Sequence, residues 1–539
     1  MVLRFLIVCA LGSLAGIVSF AQSPQFYMDM GDNSVFNGIE CNIVETADGD
    51  LDVWNVTMTN TSKEDFCPVK AGIRLGIDTY MDKYPEWLDK YFPTLLYCSS
   101  THFHGYLQTP KGQMLGIVST DPVASWSVDY NLAYEEPAGY WFYGHRISSV
   151  NLDLINALPL PEHNPQDRWK LKPGQTMSWK ILLKKIDDPS EYERQIHQIS
   201  GVPMIKMHQT SFTAGQEASF EVFADKPVIN IKDGNGNKVS LKKKKSGDRW
   251  IVTCRLDKPG LYDVDVRSGD FVTDGKLSVH QPWEWTMCQA RFAALKHKQR
   301  ATSHVESWYG YHTAFIAAKY FPDASVDTVL SERFDHQMKM LYGEDCAKPL
   351  YYDWRIQNTS GTIGMYVDKY EAYGNDEDLK TACRLADWLI GYAQRRDDAY
   401  RNKWKTVYTS VIYVAKSILE LYEAESRKSD ELVAAGVDAS YWTNAARRHY
   451  ASAKRAIDQL VASQGDFHTE GEITFEDGMI SCSSLQIGKL ALLQDDQSLK
   501  KHYTEAMLAQ LEKHNGLTQL QIPDARRRGG TLRYWEAQY

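Results

Sequence analysis

The sequence predicts a multidomain β + α protein, with N-terminal β-sandwich domains followed by an (α/α)n toroid of helical hairpins that is incomplete at its C-terminal end. Three observations predict it. Apolar residues recur with a period of two before about residue 280 and with a helical period after it. The helical half repeats one unit: a helix, a connection with Asp or Asn, and a second helix. The chain, at 539 residues, is also too long for one ordinary core.

Residues 1–21 read as a signal peptide. Arg4 supplies a short positive region, Phe5 to Phe20 is mostly apolar, and Ser19-Phe20-Ala21 fits a small-x-small cleavage site. The mature protein is therefore expected to be exported, periplasmic or extracellular. Residues 22–187 are expected to form a large antiparallel sandwich, since "LDVWNVTMTN" (51–60), "GQMLGIVST" (112–120) and "TMSWKILLKKI" (176–186) alternate apolar and polar side chains. A helical linker, 188–202, contains "PSEYERQIHQIS". Residues 203–281 have the size and alternation of a small immunoglobulin-like domain. Within it "DGNGN" predicts a hairpin turn and the lysine run 242–245 a solvated edge strand.

From 282 to 539 the expectation is the toroid. In 358–374 Ile363, Tyr366, Val367, Tyr370 and Tyr373 make one helical face; Gly374 ends it, and Asn375 and Asp376 can cap the next helix. Further pairs are expected at about 406–425 with 440–463 and at about 480–493 with 497–513. About ten helices are legible, the last starting near Thr531, where six closed hairpins need twelve.

A net charge of −9 argues against a nucleic-acid partner, and no segment of the mature chain has the apolar length of a membrane span. Eight cysteines follow the signal peptide, none in a C-x-x-C pair, which suits buried thiols or disulfides and gives no zinc spacing. No metal and no cofactor is expected. G-x-S-x-G, H-E-x-x-H and P-loop signatures are absent, and "DFHTEGEITFEDG" lacks the order of a calcium loop.

An N-terminal β-sandwich followed by tandem helical hairpins resembles the six-hairpin (α/α)6 glycosidase superfamily, beside the polysaccharide lyases that share its toroid. Within it, "YYDWRIQNTSGTIGMYVDKYEAYGNDEDL" and "GGTLRYWEAQY" are similar to glycoside hydrolase family 154, a resemblance that implies an exo-β-glucuronidase.

If the first helix of each pair is the inner one, the loops leading into inner helices meet at one end. They are about 302–309, 350–360, 401–406, 466–480 and 515–532. The first carries Glu306, Trp308 and Tyr309, with His312 a turn later; the second Tyr351, Tyr352, Asp353, Trp354, Arg355 and Asn358; the third Lys403 and Trp404. The fourth holds His468, Glu470, Glu472, Glu476 and Asp477; the fifth Asp524, Arg526, Arg527 and Arg528, followed by Arg533, Trp535 and Glu536. Aromatic rings suit the apolar faces of sugars, and arginine forks suit a substrate carboxylate. Single residues here also fit packing or solvated loops; the case rests on their coincidence across five loops.

Glycoside hydrolysis needs two carboxyl groups from opposite sides of the bond. Glu476 or Asp477 with Asp353 is the expected pair, and Glu306 is held in reserve. Arg355 and Arg533 would hold a uronate, while Trp308, Trp354 and Trp404 would act as sugar platforms, with Tyr309, Tyr352, His312, His468 and Trp535 as further contacts. Two alternatives stay open. A polysaccharide lyase would use Tyr309, Tyr352, His312, Asn358 or Arg355 for β-elimination, and a non-catalytic toroid would bind oligosaccharide without turnover.

Overall fold

The computed structural model describes residues 24–32, 34–76, 91–109, 112–132, 145–297, 310–350, 356–402, 414–464 and 477–521. The chain divides into two units, Met1–Val279 and His280–Tyr539.

The first unit begins with ten strands: β1 (Gln25–Asp29), β2 (Ile39–Asp48), β3 (Leu51–Asn60), β4 (Lys70–Gly76), β5 (Phe92–Cys98), β6 (Phe103–Gln108), β7 (Met114–Ser119), β8 (Ser125–Leu132), β9 (His145–Asn156) and β10 (Thr176–Ile186). They form two sheets, ordered β1-β4-β9-β8 and β2-β3-β10-β7-β6-β5. All pairings are antiparallel, and on β3 and β10 Met177 faces Met58 and Trp179 faces Val56. Alternation buries one side of each strand, and Val56, Met58, Ile73, Leu152 and Ile181 meet in one apolar core. β4 and β9 slip register between Ala71 and Gly72. A Cβ at Gly72 would lie 2.0 Å from the Leu152 carbonyl oxygen, so only glycine fits that bulge.

A short 3-10 turn, Pro189–Glu191, capped by the Asp188 side chain, leads into α1 (Tyr192–Ser200), which ends at Gly201 with φ +75. Its buried face, Tyr192 and Ile196, packs with Val118, Leu182 and Ile186 of the large sandwich and with Met204 and Phe223 of the small one. The small sandwich holds β11 (Met204–Lys206), β12 (Ser211–Thr213), β13 (Gln216–Phe223), β14 (Val228–Lys232), β15 (Leu241–Ser246), β16 (Arg249–Leu256), β17 (Gly260–Ser268) and β18 (Phe271–His280). Its sheets run β11-β13-β16-β15 and β12-β18-β17-β14. The lysine run lies on β15, an edge strand with its lysines exposed. "DGNGN" does turn, held by Asp233 Oδ1 accepting from the Asn235 and Asn237 amides. It does not close a hairpin, however, because β14 and β15 belong to opposite sheets. The chain pairs only at Lys232–Lys238 before crossing over.

His102 and His104 lie buried where the sandwiches join: His102 Nε2 is 3.2 Å from His104 Nδ1 and 3.4 Å from Thr273 Oγ1. Burial pulls His104 down to about 4, and burial together with His104 pulls His102 well below its ordinary value.

The second unit holds nine helices among the described residues: α2 (Trp283–Lys296), α3 (Gly310–Tyr320), α4 (Ala324–Tyr342), α5 (Ile356–Tyr373), α6 (Asp376–Ala393), α7 (Val414–Ala434), α8 (Ser440–Ala462), α9 (Asp477–Leu492) and α10 (Gln497–Gln521). Gly374, at φ +70, ends α5, and the Asn375 side chain accepts from the Glu377 amide to cap α6. α7 runs nine residues beyond the expected 425. The polar stretch "ESRKSDE" is a solvated face, since Glu425 and Ser429 stay buried within it, and the left-handed break comes at Gly436, φ +70.

α3 packs on α5, α5 on α7 and α7 on α9, while α4, α6, α8 and α10 lie outside them. Every residue of α5 from Ile356 to Val367 is buried, as an inner helix requires. The described helices give four inner and five outer members of an α/α toroid. No helix among the described residues is long and apolar enough to cross a membrane. The eight described cysteines are free thiols.

Candidate functional site

The connections of the helical unit differ between its two ends. Outer helices follow inner ones across short turns, 321–323, 374–375, 435–439 and 493–496. Before α5 and α7 the described residues outside helix, 343–350 and 394–402, are already longer than any of these turns. Since the inner helices run parallel, their N-terminal ends share one end of the unit, and connecting segments at such an end are where scaffolds of this kind carry function. The expected residues Glu306, Trp308, Tyr309, Tyr352, Asp353, Trp354, Arg355, Trp404, His468, Glu476, Arg533 and Trp535 lie outside the described residues. Asp477 is the first residue of α9 by its backbone, and its side chain too lies outside the description.

Besides Asn358, His312 is the one expected site residue whose side chain is described. It sits in the first turn of α3, half-buried, and its Nδ1 donates to Asp368 Oδ2 of α5 at 2.6 Å. The contact depends on Gly364, one turn before Asp368 on the same face of α5. A Cβ there would lie 3.0 Å from His312 Cε1 and 3.5 Å from Ser417 Oγ of α7. Glycine thus lets an imidazole from one inner helix and a hydroxyl from another close on α5. Beside Ser417, Lys416 pairs with Glu420 at 2.8 Å. Burial pulls its ammonium down, but Glu420 and then Asp368 outweigh that and hold it above its ordinary value.

The first turns of α5 and α9 line the same end with buried polar groups. Gln357, Asn358, Thr359, Ser360 and Thr362 are all buried, as are Ser483 and Ser484. Thr362 Oγ1 donates to the Asn358 carbonyl at 3.0 Å and meets Tyr342 Oη at 2.9 Å. Both amide atoms of Asn358, Ser360 Oγ and Ser483 Oγ find no hydrogen-bond partner among the described residues. An orphaned buried polar atom costs roughly 1–3 kcal/mol, so such groups point to a partner supplied from outside the packing. Deeper along the inner helices ion pairs fix the register: Lys319 to Glu371 at 2.6 Å, Glu371 to Arg427, and Lys489 to Glu423 at 2.7 Å.

Asp368, Gly364, Ser417, Ser360 and Ser483 were not singled out from the sequence. One signal was available: "QNTSGT" (357–362) is a polar run at the start of a helix with an otherwise apolar inner side.

No protein-family profile matches the chain, and no curated protein matches it. Among solved structures, a polysaccharide lyase superposes with a TM-score of 0.60 at 13% identity, covering 89% of this chain and 71% of that one. The two share a fold. An unsaturated glucuronyl hydrolase from Streptococcus agalactiae aligns with a TM-score of 0.23 at 11% identity, over 43% of this chain and 80% of that one. A Lin-41 filamin domain aligns with a TM-score of 0.14 at 6% identity, over 14% of this chain and 91% of that one. Neither of these two is close enough to carry an argument.

Proposed function

We propose that the protein is an exported enzyme acting on uronic-acid-containing glycans, with its site where the inner helices begin. The observation that carries this is the set of orphaned buried polar atoms on Asn358, Ser360 and Ser483 in the first two turns of α5 and α9. Parallel helix N-termini favour a bound negative charge. The shared fold with a polysaccharide lyase supports a carbohydrate substrate.

The leading reading is glycoside hydrolysis by two carboxylates, an exo-β-glucuronidase in keeping with the resemblance to glycoside hydrolase family 154. Asp353 pairs with Glu476 or Asp477, and Glu306 stands in reserve. One carboxylic acid gives its proton to the departing glycosidic oxygen. The other carboxylate either takes a proton from the attacking water or attacks the anomeric carbon itself. Arg355 and Arg533 hold the uronate carboxylate, and Trp308, Trp354 and Trp404 stack on sugar faces.

The second reading, β-elimination, is favoured by one described contact. With its Nδ1–H given to Asp368, His312 keeps Nε2 as its acceptor nitrogen. That nitrogen would take the C5 proton of the uronate, the C4 substituent would leave with its electron pair, and a C4–C5 double bond would form. The Asn358 amide would hold the uronate carboxyl.

A screen of aryl uronides and uronate polysaccharides tests both. Hydrolysis predicts new reducing ends without ultraviolet absorbance, and loss of turnover in Asp353→Asn and Glu476→Gln. Elimination predicts an absorbing unsaturated product that His312→Ala abolishes. Binding of oligosaccharide with no product would sink both and leave a non-catalytic toroid. Full activity in Asp353→Asn and Glu476→Gln would overturn the carboxylate assignment.

A further inference from the structure

A second cluster of reactive side chains lies where α6, α7 and α8 meet. Cys383 of α6, Glu425 of α7 and His449 of α8 are each buried to at least 99%, and their ligand atoms all lie within 4.8 Å of one another. His449 Nδ1 is 2.9 Å from both Oε1 and Oε2 of Glu425. Its other nitrogen, Nε2, is 3.3 Å from Asp387 Oδ1. Asp387 is gripped in turn by Arg448, through Nε at 2.7 Å and Nη2 at 2.9 Å.

This arrangement has an inner and an outer part. Arg448 fixes Asp387, and Asp387 takes the Nε2–H of His449. Nδ1 therefore looks inward with a lone pair toward two carboxylate oxygens, an arrangement that is repulsive until a cation lies between them. Two occupants satisfy it. One is a proton on Nδ1, with Cys383 as a neutral thiol; burial pushes that thiol up to about 12. The other is a divalent metal ion bound by the Cys383 thiolate, His449 Nδ1 and the Glu425 carboxylate. Exchange balances: one divalent ion enters, and two protons leave, from the imidazolium and the thiol. The cluster of Glu425, Asp387, Arg448, His449 and Cys383 is neutral in the first state, and neutral in the second once the divalent ion is counted with it.

In the proton-bound state the Cys383 thiol donates to Glu425, and the metal would replace that hydrogen bond with a bond from the sulfur itself. Cys383 makes long contacts with Tyr441 Oη at 3.6 Å and Arg448 Nη2 at 3.8 Å, both of which favour negative charge on it. A sulfur, an imidazole nitrogen and a carboxylate suit zinc better than calcium or magnesium. A carboxylate on the far nitrogen is the usual brace of a metal-bound histidine. We propose that Cys383, Glu425 and His449 bind one zinc ion that ties α6, α7 and α8 together. The absence of a paired cysteine spacing does not argue against it, because each ligand comes from a different helix.

The test uses the full mature chain, produced with zinc in the medium, desalted and analysed by elemental mass spectrometry. About one zinc per chain is expected in wild type, and below about a tenth in Cys383→Ser. Cobalt(II) exchanged into wild type should give a thiolate-to-cobalt charge-transfer band that Cys383→Ser removes and Cys346→Ser keeps. An anomalous-difference map of wild-type crystals at the zinc edge requires no variant, and a peak is expected between the three side chains. Wild type without zinc after titration, zinc that Cys383→Ser leaves in place, or an anomalous map empty at this position would each overturn the assignment.

Discussion

Gly364 lets His312 lie against α5 and reach Asp368. Gly364→Ala would raise helix propensity by about 1 kcal/mol while pushing a methyl group against the imidazole. The expected outcome is an unchanged or higher melting temperature with turnover of the best uronate substrate reduced roughly tenfold. Equal turnover in the variant would remove His312 from the site. The neutral pair His102 and His104 makes a different residue-level prediction. The unfolded chain takes up a proton on each below about pH 6.5, whereas folded His104 does not until about 4. Stability is therefore fully present above pH 6.5 and is lost as pH falls from 6.5 toward 4, by at most about 3 kcal/mol for His104. Urea unfolding at pH 7 and pH 4.5 should show this loss in wild type and a smaller one in His104→Gln. Of these residues only His312 is singled out by the sequence, by its place one turn into an expected inner helix. Asp368 and Gly364 could not be, because nothing local says which face of α5 meets α3. His102 stands just before β6 and His104 on it, and both are buried, but the small sandwich that meets them lies far along the chain.

Elements were legible wherever one period ran between clear stops. β3 and β10 have the bounds expected from alternation, and Gly374 with Asn375 marks the α5–α6 junction. The end of α7 was misread because a polar face mimics a stop when the buried residues beneath it, Glu425 and Ser429, are themselves polar. The strands around "DGNGN" were misjoined because a turn signal fixes a reversal of the chain and leaves open which sheet receives the next strand. The bulge on β4 was invisible, since its cause is a neighbouring backbone. Gly72→Ala would drive a methyl group into the Leu152 carbonyl and the Leu154 amide. Loss of about 3 kcal/mol is expected, read as a lower urea midpoint. An unchanged midpoint would show that β4 can shift along β9 at no cost.

Across the whole molecule, the cores show how much of the chain folds as one body. The helical unit has its own buried cluster, from Ala294 to Tyr503. Below residue 280 the two sandwiches are joined by a third cluster, in which α1 contributes Tyr192 and Ile196. The linker read from sequence is thus a wedge between two sheets. Its spacing carried the hint, since Tyr192, Ile196 and Ile199 fall on one helical face. Residues 24–279 made alone should unfold in a single calorimetric transition, and Tyr192→Ala should split it or lower it by several degrees. Two transitions in the unmutated fragment would mean that the sandwiches melt separately. The toroid's uneven connections carry a further consequence, for descent. Short turns on one rim tie each hairpin to its neighbour and leave drift little room. The connections before α5 and α7, longer already in their described parts, leave more room to lengthen, shrink or exchange side chains. Divergence in this lineage should therefore concentrate on one rim, and a change of ligand needs no new scaffold.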